Sequence, residues 1–190
     1  YPRKTEKILG NKFKFAQRSA FIPPHVLTRA ILEEDPCPIK AAMFILSNPL
    51  VSWPNSKETY RALMKLDFIV VSELFMTPTA EIADYVLPAA TWLERDDLCN
   101  ALYPNYVSAR QRVVEPVGEA WHDMKISIEL VKRIPWADRK FLPWDSVEKF
   151  NDSMVRGAGF SFNELKERSC MTVPMTYKKY EKEGFKTPTG

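Results

Sequence analysis

Glycine is scarce in this chain, with six residues in 190 against fifteen prolines. The glycine fingerprints that let a backbone close on a phosphate, Gly-x-Gly-x-x-Gly and the P-loop, are absent. So is the Gly-x-Ser-x-Gly nucleophile turn. Histidine is scarcer still: His25 and His122 stand far apart, and neither sits at ligand spacing. Cys37, Cys99 and Cys170 are scattered, with no Cys-x-x-Cys among them. That pattern argues against a disulfide framework and against a metal site within this segment. No apolar run approaches the roughly 20 residues of a membrane span. A net charge of +3 is too small to specify nucleic acid or a membrane surface. No nucleic-acid partner and no membrane contact are therefore expected.

What is present reads as a globular chain, 45% apolar and 12% aromatic. Its many prolines predict long, stiffly extended loops. The chain opens on Tyr1-Pro2-Arg3-Lys4, without an initiator Met or a signal-peptide pattern, and closes on Thr187-Pro188-Thr189-Gly190. Both ends read as cut, and a piece of something longer is expected.

Residues 1–22 are basic and lack periodicity, which predicts an extended arm. Pro23-Pro24 introduces a helix with Val26, Leu27, Ala30 and Ile31 on one face. Ile39 to Leu46 is a near-continuous apolar run of strand length, of the kind buried on both faces in a parallel sheet. Asn55 or Ser56 caps the next helix, which is expected to turn Tyr60, Leu63, Met64 and Leu66 inward. Asp67 to Val71 is the following strand, so these segments make one β-α-β unit. Thr79 to Asp84 reads as a helical turn and Tyr85 to Pro88 as a third short strand.

Later the pattern loosens. Tyr106 to Val114 alternates as a strand or extended edge, and Trp121 to Ile134 is an amphipathic helix. Asp145 with Glu148, and Ser161 with Glu164, have capping-box spacing. Val147, Phe150 and Met154 are expected inward on the first of the two helices so started. After Cys170 the chain is lysine-rich and little regular structure is expected. The fold class is α/β: a three-layer, Rossmann-like domain over residues 23–135 with a mostly parallel sheet. Extended N- and C-terminal segments flank it, and residues 136–190 hold short helices and a linker.

Chemistry-bearing residues gather where the strands end, the edge at which open α/β sheets take nucleotide-like ligands. Asn48 follows the first strand, carries both an amide donor and a carbonyl acceptor, and is aimed by Pro49. Ser52 adds a loop hydroxyl. Ser72-Glu73 closes the second strand, where a carboxylate accepts paired hydrogen bonds or caps a helix. Thr77 and Thr79 serve to cap the turn that follows, and Asp84 is structural. Asp123 is favoured at a helix start through the macrodipole alone. His122 beside it makes no base for it, because neighbours on a helix point about 100° apart. No nucleophile-and-base pair emerges, and no catalytic residue is assigned.

The phrases taken together are more specific than any one of them. Asn48-Pro49 is followed by Glu73, by Phe75 with Thr77, Thr79 and Ala80, and by Ala83-Asp84 with Leu87-Pro88. Glu115-Pro116, Asp123 and the tail Gly184-Phe185-Lys186-Thr187-Pro188 complete the series. This series resembles the pterin-dinucleotide-binding region of the molybdenum/tungsten bis-pterin oxidoreductases, the dimethyl sulfoxide reductase and formate dehydrogenase superfamily. The likeness runs from about residue 24 to residue 190. It implies an internal fragment of such an enzyme, carrying the site for one molybdopterin guanine dinucleotide, with Asn48, Ser52, Ser72, Glu73 and Asp123 at positions that hold it. It also implies, in a full-length parent, the bis-molybdopterin guanine dinucleotide cofactor with molybdenum or tungsten. A [4Fe–4S] cluster would lie in that parent and outside this fragment. The expected partners are the remaining domains of the parent, including a carboxy-terminal barrel toward which residues 136–190 would lead, and an iron–sulfur electron-transfer subunit. The fragment itself would be inactive.

Two positions depart from the pattern: Leu46 stands where a glycine is usual, and Glu73 where aspartate is more frequent. The competing reading from residues alone is a non-enzymatic Rossmann-like binding or interaction domain. A solo nucleotide-binding enzyme is a third.

Overall fold

The computed structural model describes residues 22–99, 106–172 and 176–188. The expected N-terminal arm falls outside them except for Ile22. The chain divides into two compact units: one runs to Ala90 and takes in Val117–Asp123, and the other takes Thr91–Pro116 and everything from Met124.

In the first unit the apolar runs become β1 (Ala41–Ile45), β2 (Phe68–Glu73) and β3 (Tyr85–Pro88), a parallel sheet in that order. Ala41 pairs with Phe68 and Ile45 with Ser72, while Ser72 also pairs with Leu87 and Glu73 with Pro88. Four helices accompany the strands: α1 (Pro24–Glu33), α2 (Pro49–Ser52), α3 (Ser56–Leu63) and α4 (Pro78–Glu81). Proline stands in the first turn of α1, α2 and α4, where its missing N–H leaves no bond unmade. Asn55 caps α3 with its side-chain oxygen on the Glu58 N–H, and its amide reaches the Glu58 carboxylate at 2.7 Å. Phe44, Leu63, Ile69, Val71 and Ala80 form the core, with Leu50, Trp53, Leu66 and Val86 packed around them.

Three expectations are corrected here. The inward face of α3 is Thr59, Ala62 and Leu63, whereas Tyr60 and Met64 are exposed. Leu63 and Leu66 turn inward as expected, and Thr59 and Ala62 take the places expected of Tyr60 and Met64. Burial of the first strand on both faces is incomplete, since Ala41 at its start and Leu46 just past its end are exposed. Phe68 and Tyr85, at the amino ends of β2 and β3, are exposed as well and pack on each other at 5.9 Å. The helix expected from Trp121 begins at Asp123. Trp121 is instead extended: its N–H donates to Pro88 O at 3.0 Å and its carbonyl accepts from Ala90 N at 2.9 Å, a parallel bridge beside β3.

Asp84 is structural, as expected. Its carboxylate accepts from Ile69 N at 2.7 Å while its own N–H donates to Ile69 O at 2.9 Å.

The second unit holds an antiparallel sheet of β4 (Asp97–Cys99), β5 (Tyr106–Arg110) and β6 (Cys170–Thr172). Its helices are α5 (Asp123–Arg133, opening on the last residue of the first unit), α6 (Val147–Arg156), α7 (Phe162–Arg168) and α8 (Lys179–Glu183). Val155, Phe162 and Leu165 form its core against Leu98, Val107, Ala109, Phe160 and Met171. The strand expected over Tyr106 to Val114 ends at Arg110 and is not at an edge: it lies in the middle of its sheet, paired with β4 on one side and β6 on the other. Regular structure also continues past Cys170, because Met171 in β6 has that core to pack on; α8, by contrast, buries no residue. Met154 is exposed, and Asn151 and Val155 are the buried positions of α6.

Candidate functional site

β1 and β2 finish level, since Ile45 pairs with Ser72, so the loops after them leave the same edge of the sheet. Adjacent strands lie about 4.8 Å apart. The loop after β1 begins with Leu46 in the left-handed conformation, φ 55°, its side chain 73% exposed. That conformation crowds a Cβ and favours glycine, a physical reason to expect glycine at this turn. The turn delivers Asn48 to the start of α2, where its carbonyl accepts from Val51 N and Ser52 N. The Ser52 hydroxyl donates to the same carbonyl at 2.9 Å and closes the turn.

The Asn48 side chain is held from a distant element. Thr79 in α4 is fully buried. Its hydroxyl donates to Asn48 Oδ1 at 2.6 Å and accepts from Leu50 N at 3.1 Å. Thr77 is the residue that caps α4, accepting from Ala80 N at 3.3 Å. With one cap position and Pro78 between the two threonines, the second hydroxyl is left for another task. That arithmetic was available in the sequence, but the partner, 31 residues away, was not.

Ser72 and Asp123 are brought together. The Ser72 hydroxyl donates to Asp123 Oδ1 at 3.0 Å, with the two residues only 1% and 8% exposed. Buried charge is tolerated only with hydrogen-bond partners, and this bond supplies one. Glu73, half-buried, turns its carboxylate onto the N–H of Leu74 at 2.8 Å. The five residues expected at the site therefore form two hydrogen-bonded pairs, Asn48 with Ser52 and Ser72 with Asp123, and Glu73 follows Ser72 as the last residue of β2. Among the described residues no His, Cys, Asp or Glu side chains gather in threes to hold a metal ion. No described helix is long and apolar enough to cross a membrane.

A family model described as molybdopterin oxidoreductase matches residues 26–133, which take in the whole parallel sheet, the five residues above and Thr79. The chain belongs to the molybdopterin oxidoreductase family. Acetylene hydratase of Syntrophotalea acetylenica is 33% identical, the match covering 98% of this chain and 26% of that protein. The F420-dependent formate dehydrogenase subunit alpha of Methanocaldococcus jannaschii is also 33% identical, over 83% of this chain and 21% of its own length. A solved structure of acetylene hydratase from Pelobacter acetylenicus superposes with a TM-score of 0.73 at 30% identity, covering 82% of this chain and 21% of that one. The chain thus spans about a quarter or less of the molybdopterin oxidoreductases it matches. Membership of the family implies a molybdopterin cofactor with molybdenum or tungsten.

Proposed function

We propose that this chain is one segment of a larger bis-molybdopterin guanine dinucleotide enzyme and supplies the seat for the guanosine end of one dinucleotide. The observation that carries the reading is the pairing of Ile45 with Ser72, which opens the Asn48 loop and the Glu73 loop side by side at one sheet edge. The donor set suits such a group. Asn48 offers a neutral amide and Ser52 a hydroxyl for base or phosphates, and Glu73 offers a carboxylate that accepts from the guanine N1–H and exocyclic amine or from ribose hydroxyls. Ser72 and Asp123 act as one buried unit that closes the site from behind. When bound, the pterin dithiolene would hold molybdenum or tungsten for redox chemistry. The metal's protein ligand, the [4Fe–4S] cluster and the substrate pocket would lie in other domains of the parent, and an iron–sulfur subunit would exchange its electrons.

Guanosine diphosphate is a direct probe of this seat in the 190-residue chain. The wild type is expected to bind it more tightly than inosine or adenosine diphosphate, which lack the exocyclic amine at that position. Losing a charged hydrogen bond costs roughly 1.5–3 kcal/mol, so Glu73→Ala should weaken guanosine diphosphate binding about 10- to 150-fold. Equal affinity for the three nucleotides, unchanged in the variant, would end the assignment. On the same reading the chain alone is inactive and carries no stoichiometric metal. Elemental analysis finding molybdenum, tungsten or iron at one equivalent would contradict it.

A further inference from the structure

The Asn48 carboxamide has two faces, an acceptor oxygen and a donor nitrogen, and which of them meets a ligand decides what the ligand can be. Thr79 settles the choice. Its hydroxyl oxygen already accepts from Leu50 N, and its hydrogen needs an acceptor because the residue is fully buried. Among the described residues Asn48 Oδ1, at 2.6 Å, is the acceptor it finds. Turning the amide over would aim two donors at one hydroxyl and leave the Thr79 hydrogen buried without a partner, which is unfavourable. The oxygen is thereby committed inward, while among the described residues Asn48 Nδ2 has no hydrogen-bond partner and is not sealed from solvent.

We propose that Thr79 is a positioning residue that locks the Asn48 amide, so that Asn48 meets its ligand only as a donor, through Nδ2–H. The group it recognises is an acceptor oxygen or nitrogen: a purine carbonyl or ring nitrogen, or a phosphate oxygen. The proposal rests on the guanosine-seat reading for the ligand, but the lock itself is a property of the chain alone. It also divides the labour at the edge, since Glu73 can only accept and Asn48 can only donate.

The test uses the ¹⁵N-labelled 190-residue chain. The Asn48 side-chain amide should be as ordered as the surrounding backbone in the wild type and in Thr79→Ser, which keeps the hydroxyl, and mobile in Thr79→Val, which removes it. Asn48→Asp keeps an oxygen for Thr79, removes the donor and adds a negative charge, so it should weaken guanosine diphosphate binding at least about tenfold. Guanosine serves as the second probe. Loss of both ligands, the uncharged guanosine included, puts the acceptor on the base, and loss of the diphosphate alone that added salt does not restore puts it on the phosphates. An amide that is mobile in the wild type overturns the lock whatever binds. Unchanged affinity of Asn48→Asp for both ligands overturns the donor role. An ordered amide in a wild type that binds neither ligand overturns the guanosine seat and leaves the lock standing.

Discussion

Leu46 holds a left-handed backbone with a side chain that gains nothing from burial. For a residue with a Cβ this conformation costs roughly 1–2 kcal/mol, and glycine escapes most of it at some entropic expense in the unfolded chain. Leu46→Gly and Leu46→Ala both remove the exposed side chain, yet only glycine relieves the backbone. Leu46→Gly should therefore be the more stable of the two by about 1 kcal/mol in urea unfolding. Equal midpoints would show that the turn is unstrained. The position also teaches something about reading sequences. The odd residue was visible at once, but the sign of its φ, which explains why it is odd, is a property of the folded loop.

Among the elements, the junction of α6 and α7 carries the clearest electrostatic signature. The Asp152 carboxylate accepts from Phe162 N–H and pairs with Arg156, and these contacts hold it below its ordinary pKa. Glu164 is held low by the Ser161 backbone N–H and hydroxyl in the capping box that opens α7. In α5, Glu129 is drawn down to about 2 by Lys132 and then Arg133. A carboxylate depressed by folding stabilises the fold above its unfolded pKa, and that contribution fades as pH falls through the folded value. Stability should thus be flat above about pH 5 and decline as pH drops below about 4. Near-ultraviolet circular dichroism of the melt across that range would check it, and stability rising toward pH 3 would be the contrary result.

The capping boxes also show what was legible. Ser161 with Glu164 forms as its spacing says. Asp145 with Glu148 does not, because Ser146 takes the cap and Asp145 is occupied by Lys149 and Arg139. β1 and β2 were readable because apolar runs dominate their own windows, and the short β3 because it follows them and ends in proline. β4 and β6, three residues each, were not, because strands that short are defined by partners far along the chain. At the site the loop residues were legible by type and position. The Thr79 bond and the joining of Ser72 to Asp123 depend on packing that no local pattern encodes.

On the scale of the whole molecule, exposed apolar side chains collect in the loops and the short helix α2 at the carboxyl edge of the parallel sheet: Leu46, Val51, Leu74, Phe75 and Met76, with Phe75 76% exposed. Exposed apolar surface of this kind attracts hydrophobic probes. Replacing Phe75 and Met76 with serine should lower the fluorescence of a bound hydrophobic dye and leave the melting temperature unchanged, since neither side chain is in the core. Undiminished fluorescence would put the dye elsewhere. The interruption of the first unit bears on synthesis. The chain leaves that unit at Ala90 and returns to it at Val117–Asp123, and Asp123 is made 51 residues after Ser72. At ribosomal speeds of about 5–20 residues per second, β2 waits about 3–10 seconds for the carboxylate that receives its buried hydroxyl. In a growing chain, then, the edge that would seat a nucleotide is finished only after β4 and β5 have been made, and a ribosome stalled before Asp123 would hold the sheet with that edge incomplete.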